Sequence, residues 1–223
     1  MPRNSSQPRS NDPHATTEIA VSAARLIADE GMDYSGAKRR AAREVLGEAA
    51  NTRGLLPDNE QIEDELRRHL RLFGGPEHRT LLTALRRHAL KLMLGLRRFE
   101  PRLVGAVLNG TATEYSDLQL HLFSDDVKEL EIHLLNERID FDVDEGDPEP
   151  GGAVERIRFV TEVTLDGVRK HRTGVVLSLH PSVALRVAPR YRSNDADLHP
   201  VEASGRASIE QLETLLAAPG PES

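Results

Sequence analysis

No cysteine occurs in this chain of 223 residues, so disulfides, thiolate metal sites and cysteine nucleophiles are excluded at the outset. That absence fits a reducing compartment. Tryptophan is also missing, and with three Tyr and five Phe the aromatics reach only 4%, too few for a sheet that stacks RNA bases. Packing therefore rests on Leu, Val and Ala, within an apolar content of 38% that is enough for a real core. No apolar stretch approaches the roughly 20 residues needed to cross a bilayer, and the opening MPRNSSQPRSNDPHATT has no hydrophobic signal core. The chain reads as a cytoplasmic protein without membrane attachment. Neither GxxxxGKS/T nor HExxH occurs, which removes the P-loop and zincin readings.

Charge is present but unevenly spread. The net charge is −7, yet residues 1 to 102 hold 18 Lys/Arg against 14 Asp/Glu, whereas the remainder holds 11 against 22. The first part is the better contact for a polyanion, and the second repels one unless cations neutralise it locally.

In chain order, residues 1–15 read as a disordered leader, and 16–75 as a helical segment. Ile19, Ala23, Leu26 and Ile27 recur at helical spacing up to Gly31. Asp33 caps a second helix, Tyr34 to Leu46, carrying Lys38, Arg39, Arg40 and Arg43. Those cations are either a phosphate-facing patch for RNA or an acidic protein, or a solvated face interleaved with Ala37, Ala41 and Ala42. Asn51 to Pro57 reads as a linker. Asp58 with Gln61 makes a capping box for a helix to Phe73, with Ile62, Leu66, Leu70 and Phe73 as its stripe. After Gly74-Gly75, Pro76 starts a long helix with Leu81, Leu85, Ala89, Leu92, Leu96 and Phe99 on one side.

The centre of the chain is Leu103 to Asp126, LVGAVLNGTATEYSDLQLHLFSDD. Its apolar run Leu103–Leu108 reads as a buried strand ended by the turn Asn109-Gly110-Thr111. From Asp117 to Phe123 apolar and polar residues alternate, so Leu118, Leu120 and Leu122 face a core and Asp117, Gln119 and His121 share the other face. Asp126 caps a helix from Val127 to about Glu137, and Ile139-Asp140-Phe141-Asp142-Val143 reads as a further alternating strand. DEGDPEPGG, residues 144–152, is an acidic loop. Val154–Leu165 and Val168–Arg172 make a hairpin about Asp166-Gly167, followed by short strands at Gly174–Leu179 and Val183–Val187. A polar segment from Pro189 to Gly205 leads to a helix capped by Ser208. Helices first and strands later predict an α+β fold, with a core over 76–189 and a polar segment plus helix over 190–223.

The central stretch resembles the signature of the nucleotidyltransferase superfamily with the DNA polymerase beta fold, in a degenerate bacterial form. In that family a Gly-Gly or Gly-Ser turn ends a first strand, and a second carries Asp-hydrophobic-Asp/Glu-hydrophobic. Ser116-Asp117-Leu118-Gln119-Leu120 stands for the second strand, and Gly110-Thr111 for the turn. Thr111 departs from the pattern, and Gln119 replaces the second carboxylate. The resemblance implies a mixed sheet that binds a nucleoside triphosphate with Mg2+ or Mn2+. It casts Asp117 as metal ligand, Asp140 or Asp142 as third carboxylate, and Gly110, Thr111 and Ser116 as nucleotide contacts. It also implies nucleotidyl transfer to an RNA or protein acceptor, provided that His121, Glu114 or Glu162 compensates for Gln119. A Gln brings one neutral carbonyl oxygen but no charge where two dications must sit close together. The rival reading is a non-catalytic RNA- or protein-interaction module that uses the basic helices.

Overall fold

The computed structural model describes residues 13–47, 54–145, 153–189 and 198–218. The chain divides between Gly75 and Pro76 into two compact units. Residues 1–12 of the expected leader, 48–53 with the first half of the expected linker Asn51–Pro57, most of the acidic loop (146–152), 190–197 and 219–223 lie outside the described residues, and residues 13–15 of the expected leader belong to the first helix.

The first unit packs three helices. In α1 (Pro13–Glu30), α2 (Tyr34–Leu46) and α3 (Asn59–Phe73), the small residues Ala23, Ala37, Ala41 and Ala42 let the helices approach one another. Ile19, Leu26, Ile62 and Leu66 fill the core between them. Capping fixes the starts. Asp33 accepts the Gly36 amide at 2.9 Å, and Asp58 and Gln61 satisfy each other's backbone reciprocally. The expected stripe of α3 holds through Leu70 but not at Phe73, which is 72% exposed and lies against His69 with ring centroids 4.9 Å apart.

The second unit is a two-layer α+β body. It contains α4 (Gly75–Gly95), β1 (Arg102–Val104), α5 (Gly105–Asn109), β2 (Leu118–Phe123), α6 (Val127–Asn136), β3 (Asp142–Glu145), β4 (Glu155–Thr164), β5 (Lys170–His180) and α7 (Ile209–Ala217). The five strands form one mixed sheet in the order β1-β2-β5-β4-β3, parallel between β2 and β5 and antiparallel elsewhere. One face packs as the pleat predicts. Leu118, Leu120 and Leu122 of β2, Val175, Leu177 and Leu179 of β5, and Ile157 and Phe159 of β4 share a core with Leu85 and Met93 of α4, Leu130 and Leu134 of α6, and Leu212 and Leu215 of α7.

Four expectations differ. The run Leu103–Leu108 is a strand only to Val104, because Gly105 takes φ 69° and turns the chain into α5. The strand expected over Ile139–Val143 starts only at Asp142, since Arg138 sits at φ 56° and its turn takes up the residues before it. The strands expected over Val168–Arg172 and Gly174–Leu179 are one continuous strand, β5, which starts only at Lys170, with Val168 and Arg169 left in the turn. Val183–Val187 is mostly a 3-10 turn, Ser182–Arg186, anchored by Asp125, whose carboxylate accepts the Ser182 amide at 2.9 Å and its hydroxyl at 2.6 Å. Those bonds hold the Asp125 carboxyl below the usual range.

Candidate functional site

The other face of the sheet is formed by the alternate residues of each strand. By register it carries Arg102 and Val104 of β1; Gln119 and His121 of β2, with Asp117 just before the strand; Gly174, Val176, Ser178 and His180 of β5; and Arg156, Arg158 and Val160 of β4. Asp117 and Gln119 are exposed there, whereas Leu118 and Leu120 beneath them are fully buried.

Two glycines set how those two side chains lie. A Cβ on Gly174 would stand 2.2 Å from Asp117 Oδ1, and one on Gly105 would stand 3.0 Å from Gln119 Oε1. The Asp117 carboxylate thus rests on β5 backbone, and the Gln119 amide rests on the turn that ends β1. Next to Gly174, the buried Thr173 donates its hydroxyl to the Ser116 carbonyl at 2.9 Å, tying the entry of β2 to β5. Arg172 stands one pleat repeat from Gly174 on the same face and is exposed.

The residues expected to hold phosphate are used otherwise. Gly110 is the C-cap of α5, and both its amide and that of Thr111 donate to the Ala106 carbonyl. Thr111 is 1% exposed and bonds Asn109 Oδ1 through its amide (3.1 Å) and its hydroxyl (2.7 Å). Around Gly110 lie Arg86 and Glu202, paired at 2.6 Å, with Arg86 also donating to the carbonyls of Val107 (3.0 Å) and Leu108 (2.8 Å). This is the buried seat of a helix end, with no amide left for a ligand. The glycine that ends the first strand is Gly105, followed by Ala106 at the start of α5. Ser116 orders the intervening loop, its Oγ accepting the Thr113 amide at 2.9 Å.

The structure does not bring the three aspartates together. Strand β3 is the far edge of the sheet, three strand spacings from β2, or roughly 14 Å. Asp142 is opposite Arg158 in register, Asp144 bonds Arg158 at 2.8 Å, and Asp140 is exposed before the strand. Among the described residues no three His, Cys, Asp or Glu side chains converge as a metal-binding group. Glu162 pairs with Lys170 at 2.9 Å, and Glu114 sits beside Tyr115, whose phenol it pushes up. One carboxylate and one amide oxygen do not fit a pair of dications, which need bridging negative charge.

His121 turns from Asp117 toward a different neighbourhood. Its ring lies 4.4 Å from that of His180, which stacks on Phe123 at 5.6 Å. Burial, then His180, Arg206 and Arg156, lower the His121 pKa to about 4.

On α2 the basic residues are divided. Arg40 pairs with Glu30 and Glu44, which raise its pKa, and Arg39 donates to Ser35. Ala37, Ala41 and Ala42 are the buried side of this helix. Lys38 is half-buried and Arg43 exposed in its last turn. A shallow groove along α1, lined by residues such as Glu18, Val21 and Arg25, lies in the same unit and includes none of the strand residues above.

Sequence reasoning missed Gly105, Thr173, Gly174 and Arg206. For Gly105 the signal was present, since a glycine directly after Leu103-Val104 is a natural end to a short strand. For Thr173 and Gly174 there was none, because their partners lie 57 residues away in the chain.

No helix among the described residues is long and apolar enough to cross a membrane. No family model, curated protein or solved structure matches this chain.

Proposed function

We propose that the sheet face around Asp117 and Gln119 binds a nucleoside triphosphate, as a nucleotidyltransferase-like site that lacks two-metal transfer chemistry. The observation that carries this reading is the seating of Asp117 and Gln119 over Gly174 and Gly105 on the face that the helices leave uncovered. A carboxylate accepts hydrogen bonds from hydroxyl and amino groups, and an amide both donates and accepts. A nucleotide offers those partners on its ribose and base, and its phosphates suit the nearby Arg172 guanidinium.

The resemblance supports the class of ligand and the polymerase beta-like fold; the residues present limit the chemistry. Asp117 is a single carboxylate, Gln119 is neutral, and Asp140 and Asp142 lie toward the opposite edge. The basic patch of α2 is the weaker rival, because Arg40 is already paired with two glutamates.

The test is equilibrium dialysis of each α-labelled nucleoside triphosphate, with and without Mg2+, against the wild type and Asp117→Ala. Saturable binding lost in the variant, without label passing to RNA or protein, is the expected result. Metal-dependent transfer lost in Asp117→Ala would replace this reading by an active transferase. Binding unchanged in Asp117→Ala but reduced in Arg39→Ala/Arg43→Ala would move the function to α2.

A further inference from the structure

A second site lies further along the same sheet face, where basic groups from separate elements meet. His121 on β2 is opposite Ser178 on β5, which is opposite Arg156 on β4. His180 reaches the same place from the end of β5, and its ring is 4.4 Å from His121. Arg206, just before α7, lies over Phe123 with its guanidinium carbon 5.4 Å from the ring centre. Its Nη2 donates to the carbonyls of Leu185 (3.0 Å) and Val187 (2.9 Å), so backbone holds the guanidinium in position. Arg102 on β1 is opposite His121 in register. His121 lies four residues from Asp117 along an extended strand, or about 13 Å.

This grouping runs against the composition around it. From residue 103 onward acids outnumber bases 22 to 11, yet the side chains that converge here are basic. Asp142 and Asp144 of β3 lie opposite Arg158 and Arg156, with Asp144 bonded to Arg158. Glu100 bonds Arg102 at 3.3 Å, and Arg102 also acts on Glu210. No carboxylate is bonded to Arg206 among the described residues, and burial with the field of Arg102 makes its positive charge harder to hold. Like charges brought together in a half-buried place repel, and a polyvalent anion relieves that repulsion. Guanidinium, hydroxyl and imidazole N–H donors together match the oxygens of a tetrahedral phosphate.

We propose that His121, Ser178, His180 and Arg206, rimmed by Arg102 and Arg156, form a binding site for a phosphate group, distinct from the position at Asp117. The phosphate belongs either to a second, phosphorylated small molecule or to the tail of the nucleotide. The site stands independently of the nucleotide reading, because it requires nothing at Asp117.

The experiment is a titration of isotope-labelled full-length protein with inorganic phosphate and then pyrophosphate, read at the imidazole carbons of His121 and His180, with sodium chloride as the ionic-strength control. The expected result is a saturable shift at both rings and a rise of the His121 midpoint by about one to three units. Arg206→Gln should weaken phosphate binding about ten- to a hundredfold. If that variant fails to fold, Arg102→Gln and His121→Gln should each weaken binding in its place. Asp117→Ala should bind phosphate as the wild type does, which separates failure here from failure of the nucleotide site. Competition between phosphate and a nucleoside triphosphate would assign the site to the nucleotide tail, and simultaneous binding would assign it to a second substrate. Shifts no larger than those in sodium chloride, or binding unaffected by all these substitutions, would overturn the proposal.

Discussion

Gly174 occupies a position where a methyl group would meet the Asp117 carboxylate at 2.2 Å. Its backbone is ordinary strand, so Gly174→Ala should leave the fold intact while displacing Asp117. Nucleotide affinity should fall about tenfold or more, at unchanged circular dichroism, if one charged hydrogen-bonding group loses its place. His121 makes a different prediction. Its folded pKa of about 4 lies below the ordinary histidine value of about 6.5, so the unfolded chain takes up a proton that the folded one refuses. The stability that neutral His121 preserves is complete above pH 6.5 and is lost as the pH falls through about 4. The loss is on the order of 3 kcal/mol. Urea midpoints of the wild type and His121→Gln, compared from pH 7 to pH 4, should diverge in that direction. At this scale the alternation of Asp117, Gln119 and His121 against three leucines was legible, because the pleat alone dictates it. The contacts of Gly174 and Arg206 were not, because they join segments distant in sequence.

At the scale of elements, the decisive features are the junctions. Gly105 ends β1 at φ 69°, a region that costs a residue with a Cβ about 1–2 kcal/mol. Gly105→Ala should therefore destabilise by at least that amount in urea denaturation, and it should also disturb Gln119. Arg86 closes the other end of α5, donating to two carbonyls and to Glu202. Arg86→Ala leaves those carbonyls and a half-buried carboxylate without their donor. A loss of about 3–5 kcal/mol is expected in the same measurement. Helix starts were readable because capping is local: the pairs at Asp58–Gln61 and Ser208–Gln211 form as their spacing predicts. The run Leu103–Leu108 was ambiguous for the opposite reason, since a short apolar segment suits a strand or a buried helix equally well. The edge position of β3 was also hidden. The local pattern around Asp140 and Asp142 marks an alternating segment, but only pairing with β4 decides which edge it joins.

At the scale of the molecule, the order of helices and strands was enough to predict α+β, and the chain contains a three-helix unit and a two-layer unit with a mixed sheet. The strand order was beyond the sequence, because β2 pairs with β5 across α6 and the β3–β4 hairpin. That pairing determines the site. It gives Asp117 a glycine floor and places Asp142 at the far edge, which separates the Asp117–Gln119 pair from the further carboxylate expected of Asp140 or Asp142. The uneven charge of the chain has a local exception in the basic groups gathered on the open face, and phosphate is the ligand that this exception best suits.

The most direct test is amide chemical-shift mapping of the full-length protein with a nucleoside triphosphate at saturation. The account predicts perturbations at Gly105, Asp117, Gln119, Gly174 and Val176, with α2 unchanged. Perturbations confined to Lys38, Arg39, Arg40 and Arg43, or none at millimolar nucleotide, would contradict it.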